Sequence, residues 1–182
     1  PTGRFLFTTS EAALPRDGSP ASRQQGSRHR ILRLERTSGD ATEHAYLTDP
    51  TLADHGDYGI ADLAALSDHE LLVLERGFAK GIGNTVRIYQ VDLRDPRSRC
   101  EGRAALPASA PTLEKRLVVD LAALPAPGVP PAKQPQPSAL LDNYEGLALG
   151  PRLPDGRHSV LLVSDDNARP TQVARVLVLA VG

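Results

Sequence analysis

The feature of this sequence that most limits its fold is a strand pattern that occurs three times. Each copy is a short apolar run that reaches an acidic residue and then turns polar, and a second strand-like run follows it. Runs of this length, bounded by Gly, Pro, Asp and Asn, are typical of β-strands. The copies are RFLFTTSEAAL (4–14), ELLVLERGFAK (70–80) and SVLLVSDDNAR (159–169), followed by 29–36, 85–93 and 172–182.

Two further strand types complete the repeating unit. One precedes the second and third copies (58–66 and 144–150), and the other follows the first and second (43–49 and 115–121). The segments LSDHE and LPDGRH have the composition of hairpin turns. Each unit is therefore predicted to be a four-stranded antiparallel meander, with the opening strand of the first copy and the closing strand of the last copy missing.

Recurrence of such meanders is the sequence signature of a β-propeller. The sequence predicts an all-β fold, a partial β-propeller of about three four-stranded antiparallel blades. The copies are further apart than the roughly 40–45 residues of a typical blade, because residues 15–29 and the Pro-rich residues 125–137 are inserted. We expect residues 125–137 to cross the surface as an extended loop. Residues 60–76 also fit an amphipathic helix, although the flanking repeats favour strands.

Composition narrows the class of protein. The 182 residues fit one domain or part of a larger one, and the chain opens directly into a strand-like run, so we expect it to begin inside a domain. With 21 Lys and Arg against 22 Asp and Glu, no basic footprint for nucleic acid is present. No apolar run approaches the roughly 20 residues of a membrane helix. The single Cys100 excludes an internal disulfide and a cysteine zinc site.

Residues 142–167, DNYEGLALGPRLPDGRHSVLLVSDDN, resemble the signature of the phytase-like, esterase-like β-propeller family of bacterial secreted proteins. LLVLERGF (71–78), GNTVRIYQVDL (83–93) and FLFTTSEAAL (5–14) are similar to its preceding blades. Ala168 stands where the family usually has an aromatic residue. Family members are longer, so residues 1–182 resemble the C-terminal part of the propeller, and the missing N-terminal blades are the expected partner.

The resemblance implies a secreted or periplasmic protein that hydrolyses an ester of a small molecule, including a phosphate ester, at a metal-bearing propeller mouth. The metal would polarise the ester and lower the pKa of a bound water, and a carboxylate would act as base. No G-x-S-x-G nucleophile motif is present, which excludes an α/β-hydrolase esterase. A net charge of −1 does not supply the basic patch that a phytase proper would need.

Four acidic residues occupy strand ends that are expected to meet at one rim. Glu11, Glu75 and Asp165 follow second strands, and Glu145 begins a first strand, which lies antiparallel beside the next. Clustered carboxylates repel one another unless a cation separates them, and calcium prefers oxygen ligands. We therefore predict calcium bound by Glu11, Glu75, Glu145 and Asp165.

Glu145 is the predicted catalytic base or ligand. The predicted substrate contacts are Arg76, Asn143, Asp166 and Asn167. Two alternatives stay open. In the first, the acids are ordinary solvated turn residues that Arg76 or Arg169 neutralises. In the second, the protein is a non-catalytic binding propeller stabilised by calcium, since one fold hosts many functions.

Overall fold

The computed structural model describes residues 1–53 and 56–182, so His55, a lone loop histidine, lies outside the described residues. Within them, ten strands form three antiparallel sheets. The first sheet contains β1 (Phe5–Thr8), β2 (Arg28–Glu35) and β3 (Ala41–Leu47). The middle sheet contains β4 (Asp57–Ala65), β5 (Glu70–Ala79), β6 (Gly83–Asp92) and β7 (Lys115–Asp120). The third sheet contains β8 (Tyr144–Arg152), β9 (His158–Ser164) and β10 (Arg175–Val181).

The strand order within each sheet follows the sequence. The all-β class is confirmed, and the first and third sheets have three strands where the middle sheet has four. The helical interpretation of residues 60–76 is wrong, because β4 and β5 form a hairpin closed by a hydrogen bond from Leu66 N to Glu70 O at 2.8 Å. The turn between β8 and β9 is closed by a hydrogen bond of 2.9 Å from the N–H of Leu153 to the carbonyl of Arg157, and Gly156 in this turn has a φ of 87°.

Two apolar layers separate the three sheets, and β5 contributes to both. Side chains alternate between the faces of a strand, so Leu71 and Val73 face the first sheet while Leu72 and Leu74 face the third. All four are almost completely buried. Truncation of such a residue to Ala typically costs about 2–5 kcal/mol. The middle sheet is therefore the central layer of the fold.

The first strands of the middle and third sheets lie side by side. The Asp62 carboxylate of β4 accepts a hydrogen bond from the backbone N–H of Leu147 in β8, with a distance of 2.7 Å. Residue Ile60, on the other side of a bulge in β4, donates its N–H to the carbonyl of Glu11, which follows β1. These two contacts join β4, the first strand of the middle sheet, to the third sheet on one side and to the segment after β1 on the other.

Residues 125–137 form neither helix nor strand. Two glutamines attach this segment to the start of β6. Gln134 and Gln136 each donate a side-chain hydrogen bond to Asn84 Oδ1, and the N–H of Asn84 donates to Gln136 Oε1. Among the described residues, no helix is long and apolar enough to cross a membrane.

Candidate functional site

Arg76 lies between two carboxylates at one end of the middle sheet. Its Nη2 donates to Glu11 Oε1 at 2.6 Å and lies 4.0 Å from Glu145 Oε1. Its Nε is buried and has no hydrogen-bond partner among the described residues. The alternative that Arg76 neutralises an acid therefore holds for Glu11. Because the Glu11 side chain is 68% exposed, this ion pair contributes only about 0–1 kcal/mol of stability.

Gly59 determines where Glu11 lies. A Cβ at position 59 would stand 2.1 Å from the carbonyl oxygen of Glu11, which is far inside van der Waals contact. That carbonyl accepts the N–H of Ile60 at 3.2 Å. A glycine inside a strand often marks such a close backbone approach. The absence of a side chain at Gly59 thus lets the segment after β1 approach β4 and places Glu11 beside Arg76.

Asn143 connects Glu145 to the end of β9. Its side-chain amide donates to Glu145 Oε1 at 2.7 Å and to the backbone carbonyl of Asp165 at 3.4 Å. Its own carbonyl accepts the N–H of Asp165 at 3.0 Å. The buried Asn143 therefore orients the exposed Glu145 carboxylate, and the start of β8 lies beside the end of β9 as antiparallel pairing requires.

The acidic residues after β9 form a tight turn. Asp165 Oδ1 accepts the N–H of Asn167 at 3.0 Å, and Asp166 Oδ1 accepts the N–H of Ala168 at 2.9 Å. Asn167 and Ala168 have φ values of 50° and 55°, and the Asn167 amide donates to Gln172. The side chains of Asp165 and Asp166 act as local turn caps. Their proposed roles toward a metal or substrate stay predictions.

Glu75 points to the opposite face of β5 from Arg76. Its side chain is fully buried between the first and middle sheets. It accepts hydrogen bonds from Lys115 Nζ at 2.6 Å, from the Tyr46 hydroxyl at 2.5 Å and from the N–H of Asp49 at 3.0 Å. A buried charge is tolerated only when it is paired and hydrogen-bonded in this way. The structure therefore separates Glu75 from Glu11 and Glu145.

Lys115 links the buried Glu75 to the partly exposed carboxylate of Asp49. Its Nζ donates to Asp49 Oδ1 at 2.6 Å and lies 4.1 Å from the centre of the Tyr89 ring. Burial alone would raise the pKa of Asp49, but hydrogen bonds from Lys115 and Tyr89 hold that pKa below its usual value. Arg87 joins this cluster by pairing with Asp49 and Asp120. We call Asp49, Glu75, Arg87, Lys115 and Asp120 the Glu75 ionic cluster, in which only Glu75 is fully buried.

A cleft of about 380 Å³ opens beside Arg76. Glu11, Arg76, Asp57 and Tyr58 are among its lining residues. The Tyr58 hydroxyl is buried and has no hydrogen-bond partner in the described part of the chain. Burial and the nearby carboxylates of Glu75 and Asp49 raise the pKa of Tyr58, so its hydroxyl stays protonated. The wall of the cleft thus carries one cation, Arg76, and the two carboxylates of Glu11 and Asp57.

The model of the family described as "Phytase-like: Esterase-like activity of phytase" matches residues 1–168. The chain belongs to the phytase-like family. The family membership expected from the sequence is confirmed. Comparisons with curated proteins and with solved structures gave no match.

Of the residues predicted for this phytase-like site, the structure brings together Glu11, Arg76, Asn143 and Glu145. Asp165 is joined to them through its backbone and Asn143, whereas Glu75 lies on the opposite face. Among residues 1–53 and 56–182, no group of three or more His, Cys, Asp or Glu side chains is arranged to hold a metal ion. Calcium binding stays a prediction.

Sequence reasoning missed three residues that shape this end of the molecule. Gly59 had a usable signal, since it is a glycine inside a strand pattern. Asp49 and Lys115 had none, because each looks like an ordinary charged residue at a strand end and lies far along the chain from Glu75. Only the packing of the first sheet on the middle sheet brings them into contact.

Proposed function

We propose that this protein hydrolyses an ester or phosphate ester of a small molecule in the cleft beside Arg76. The observation that carries the proposal is the position of Arg76, which lines a cleft of about 380 Å³ together with Glu11 and lies 4.0 Å from Glu145 at the edge of it. A guanidinium has five N–H donors in a planar fork that matches phosphate and carboxylate oxygens. Arg76 would hold the ester oxygens and stabilise the negative charge that develops on them.

Glu145 is the proposed general base. Its carboxylate is 44% exposed, so it is accessible to water, and Asn143 fixes one of its oxygens. It would accept a proton from the water that attacks the ester, and the leaving oxygen would take a proton from solvent. General base catalysis typically contributes a factor of about 10²–10⁴ to the rate. Glu11 holds Arg76 in position and is not assigned a proton transfer.

The carboxylates do not fit the four-ligand calcium site expected from the sequence. Glu75 is bound by Lys115 in the Glu75 ionic cluster, and the Asp165 side chain caps a turn. Glu11 and Glu145 are the two that converge, and Arg76 lies between them. No step of the proposed reaction is therefore assigned to a metal ion.

The propeller architecture belongs to the same proposal. The three sheets would be blades, with β4 and β8 lying near a central axis, as the hydrogen bond from Leu147 to Asp62 supports. Leu6, Val176 and Val178 are exposed on outer sheet surfaces, where further blades of a longer chain would pack. A secreted or periplasmic location, which cell fractionation would test, is also proposed from the family.

The hydrolysis proposal is tested with p-nitrophenyl acetate and p-nitrophenyl phosphate. We expect Glu145→Gln to lower kcat by a factor of about 10²–10⁴ with little change in stability. Glu114→Gln is the matched control, because Glu114 is a carboxylate that is 87% exposed. Equal rates for the two variants would remove Glu145 from the mechanism, and no turnover of either ester by the unaltered protein would refute hydrolysis of these ester classes.

A second candidate function is binding without catalysis. It is favoured by the turn-capping roles of Asp165 and Asp166, which leave few free polar groups after β9. In that case the protein would bind inorganic phosphate in an Arg76-dependent manner and would hydrolyse neither p-nitrophenyl ester. Calorimetry of phosphate binding to the unaltered protein and to Arg76→Gln, run beside the rate assay, separates the two functions.

A further inference from the structure

A second cavity lies beside the cleft and has a different lining. Its volume is about 490 Å³, and its walls come from the insertion between β1 and β2 and from the loop between β6 and β7. Pro20 lines both the cavity and the cleft, so the two are neighbours. The polar side chains that line the cavity include Ser19, Ser22, Gln25 and Arg28. The reaction proposed above uses none of them.

Arg28 is the decisive residue of this cavity. It is 9% exposed, and its described hydrogen bonds go from Nη1 and Nη2 to the backbone carbonyls of Ala110 and Ala108. No described carboxylate forms an ion pair with it, and its Nε has no partner in the described part of the chain. Burying a charge is expensive unless an opposite charge compensates it. Arg28 is thus a buried cation whose described hydrogen bonds all go to neutral backbone carbonyls.

Asp17, the acid on the cavity wall, does not compensate Arg28. Its two carboxylate oxygens bind Arg30 at 2.6 and 2.7 Å, and one of them also accepts the N–H of Leu106 at 2.9 Å. The hydrogen bond from Arg30 holds the pKa of Asp17 below its usual value. Glu43, which also binds Arg30, is absent from the cavity wall. The cavity therefore presents Arg28 together with hydroxyl and amide groups.

The walls of the cavity are preformed. The buried pair of Asp17 and Arg30 fixes the first insertion to β2, and the bond from Leu106 to Asp17 fixes the second loop to the first. A site whose groups are already in place binds with a smaller entropic cost. We propose that this cavity is an anion-binding site for a small organic molecule that carries a carboxylate or phosphate group, with Arg28 as the charged contact and Ser22 and Gln25 as hydrogen-bonding groups.

Two matched variants on one loop test the site. Ala108 and Ser109 are both exposed, but only Ala108 lines the cavity. Ala108→Glu would place a carboxylate beside Arg28 and compete with the ligand, whereas Ser109→Glu adds the same charge outside the cavity. We expect Ala108→Glu to weaken anion binding at least about tenfold, since truncating or neutralising one side of a desolvated charge contact is costly. Ser109→Glu should change the affinity by less than about twofold, because exposed charges are screened.

The probes are inorganic phosphate and succinate, each titrated into the full chain by calorimetry and by two-dimensional NMR. Binding at the cavity should shift the backbone amide signals of Gly26 and Leu106, and Arg76→Gln should leave those shifts in place. The two probes show whether the site prefers a phosphate or a carboxylate. Equal affinities for Ala108→Glu and Ser109→Glu, shifts confined to residues around Arg76, or no binding of either anion would overturn the proposal.

Discussion

Glu75 and Arg76 are adjacent in β5, yet their side chains belong to different structural environments. Glu75 is fully buried between the first and middle sheets and bound by Lys115, whereas Arg76 faces the other side of β5 and binds Glu11 at the cleft. The reason is the alternation of side chains along a strand, which sends neighbours to opposite faces. Glu75 therefore supports the packing of the sheets and Arg76 belongs to the site. Substitution of Glu75 should change stability, and substitution of Arg76 should change binding at the cleft.

The Glu75 ionic cluster predicts a large stability loss when Lys115 is removed. Lys115→Met removes the cation that Glu75 and Asp49 share, and leaving the fully buried Glu75 without it costs about 3–5 kcal/mol, whereas Asp49 keeps its pair with Arg87. Urea unfolding would measure this loss. Lys80→Met, at an exposed lysine, should change the free energy of unfolding by less than about 0.5 kcal/mol. Equal effects of the two substitutions would mean that the cluster is not important for stability.

Gly59→Ala should disturb the site through the backbone. The added methyl group would collide with the Glu11 carbonyl, so the segment after β1 must move and Glu11 must leave Arg76. We expect a destabilisation of about 1–3 kcal/mol from overpacking and a changed affinity of the cleft for phosphate. Gly146→Ala is the control, because its nearest atom would be Val163 Cβ at 3.4 Å. If Gly59→Ala is no more disruptive than Gly146→Ala, the positioning role of Gly59 is wrong.

Arg76 should compete with a metal ion for the two converging carboxylates. In Arg76→Gln, Glu11 and Glu145 lose the cation between them, and their mutual repulsion favours binding of calcium. We expect calcium to raise the melting temperature of this variant more than that of the unaltered protein, since a ligand of the folded state stabilises by mass action. The melting curves with calcium and with chelator give the measurement. If calcium raised the melting temperature of the unaltered protein more, Arg76 would instead help to hold a metal site in place.

Two buried histidines should make stability depend on pH. Burial lowers the pKa of His29 and of His44 below the ordinary value of 6.5, so both are neutral in the folded state while the unfolded state binds protons more readily. Their contribution is fully present above about pH 6.5 and is lost as the pH falls through the folded pKa values. The slope reaches up to about 1.4 kcal/mol per pH unit for each histidine.

Urea unfolding between pH 5 and pH 8 measures this dependence. His44→Gln should flatten the curve, whereas His69→Gln, at an exposed histidine, should leave its shape unchanged. A curve that stays flat from pH 7 to pH 5 in the unaltered protein would show that neither histidine is held neutral by folding.

Much of the fold could be predicted from local sequence. The alternation of apolar residues and the turn residues at LSDHE and LPDGRH located the strands to within a few residues, and the recurring pattern grouped them into units of three, four and three strands. These signals are local, because strand period and turn geometry depend on neighbouring residues. The helical interpretation of residues 60–76 failed because the hairpin turn in the middle interrupts it.

The site was predicted only in part, and the difference has a physical cause. A strand end places an acid near an edge of a sheet, and the structure has Glu11 and Glu145 beside Arg76, with Asn143 bound to Glu145. The sequence does not specify which face of β5 meets a neighbouring sheet, and that packing sent Glu75 inward to Lys115. Likewise, the close approach at Gly59 and the desolvation of Arg28 depend on contacts between distant segments. Local composition determined the strands and turns, and tertiary packing decided which charged side chains face the cleft, because burial and pairing of charges are properties of the assembled sheets.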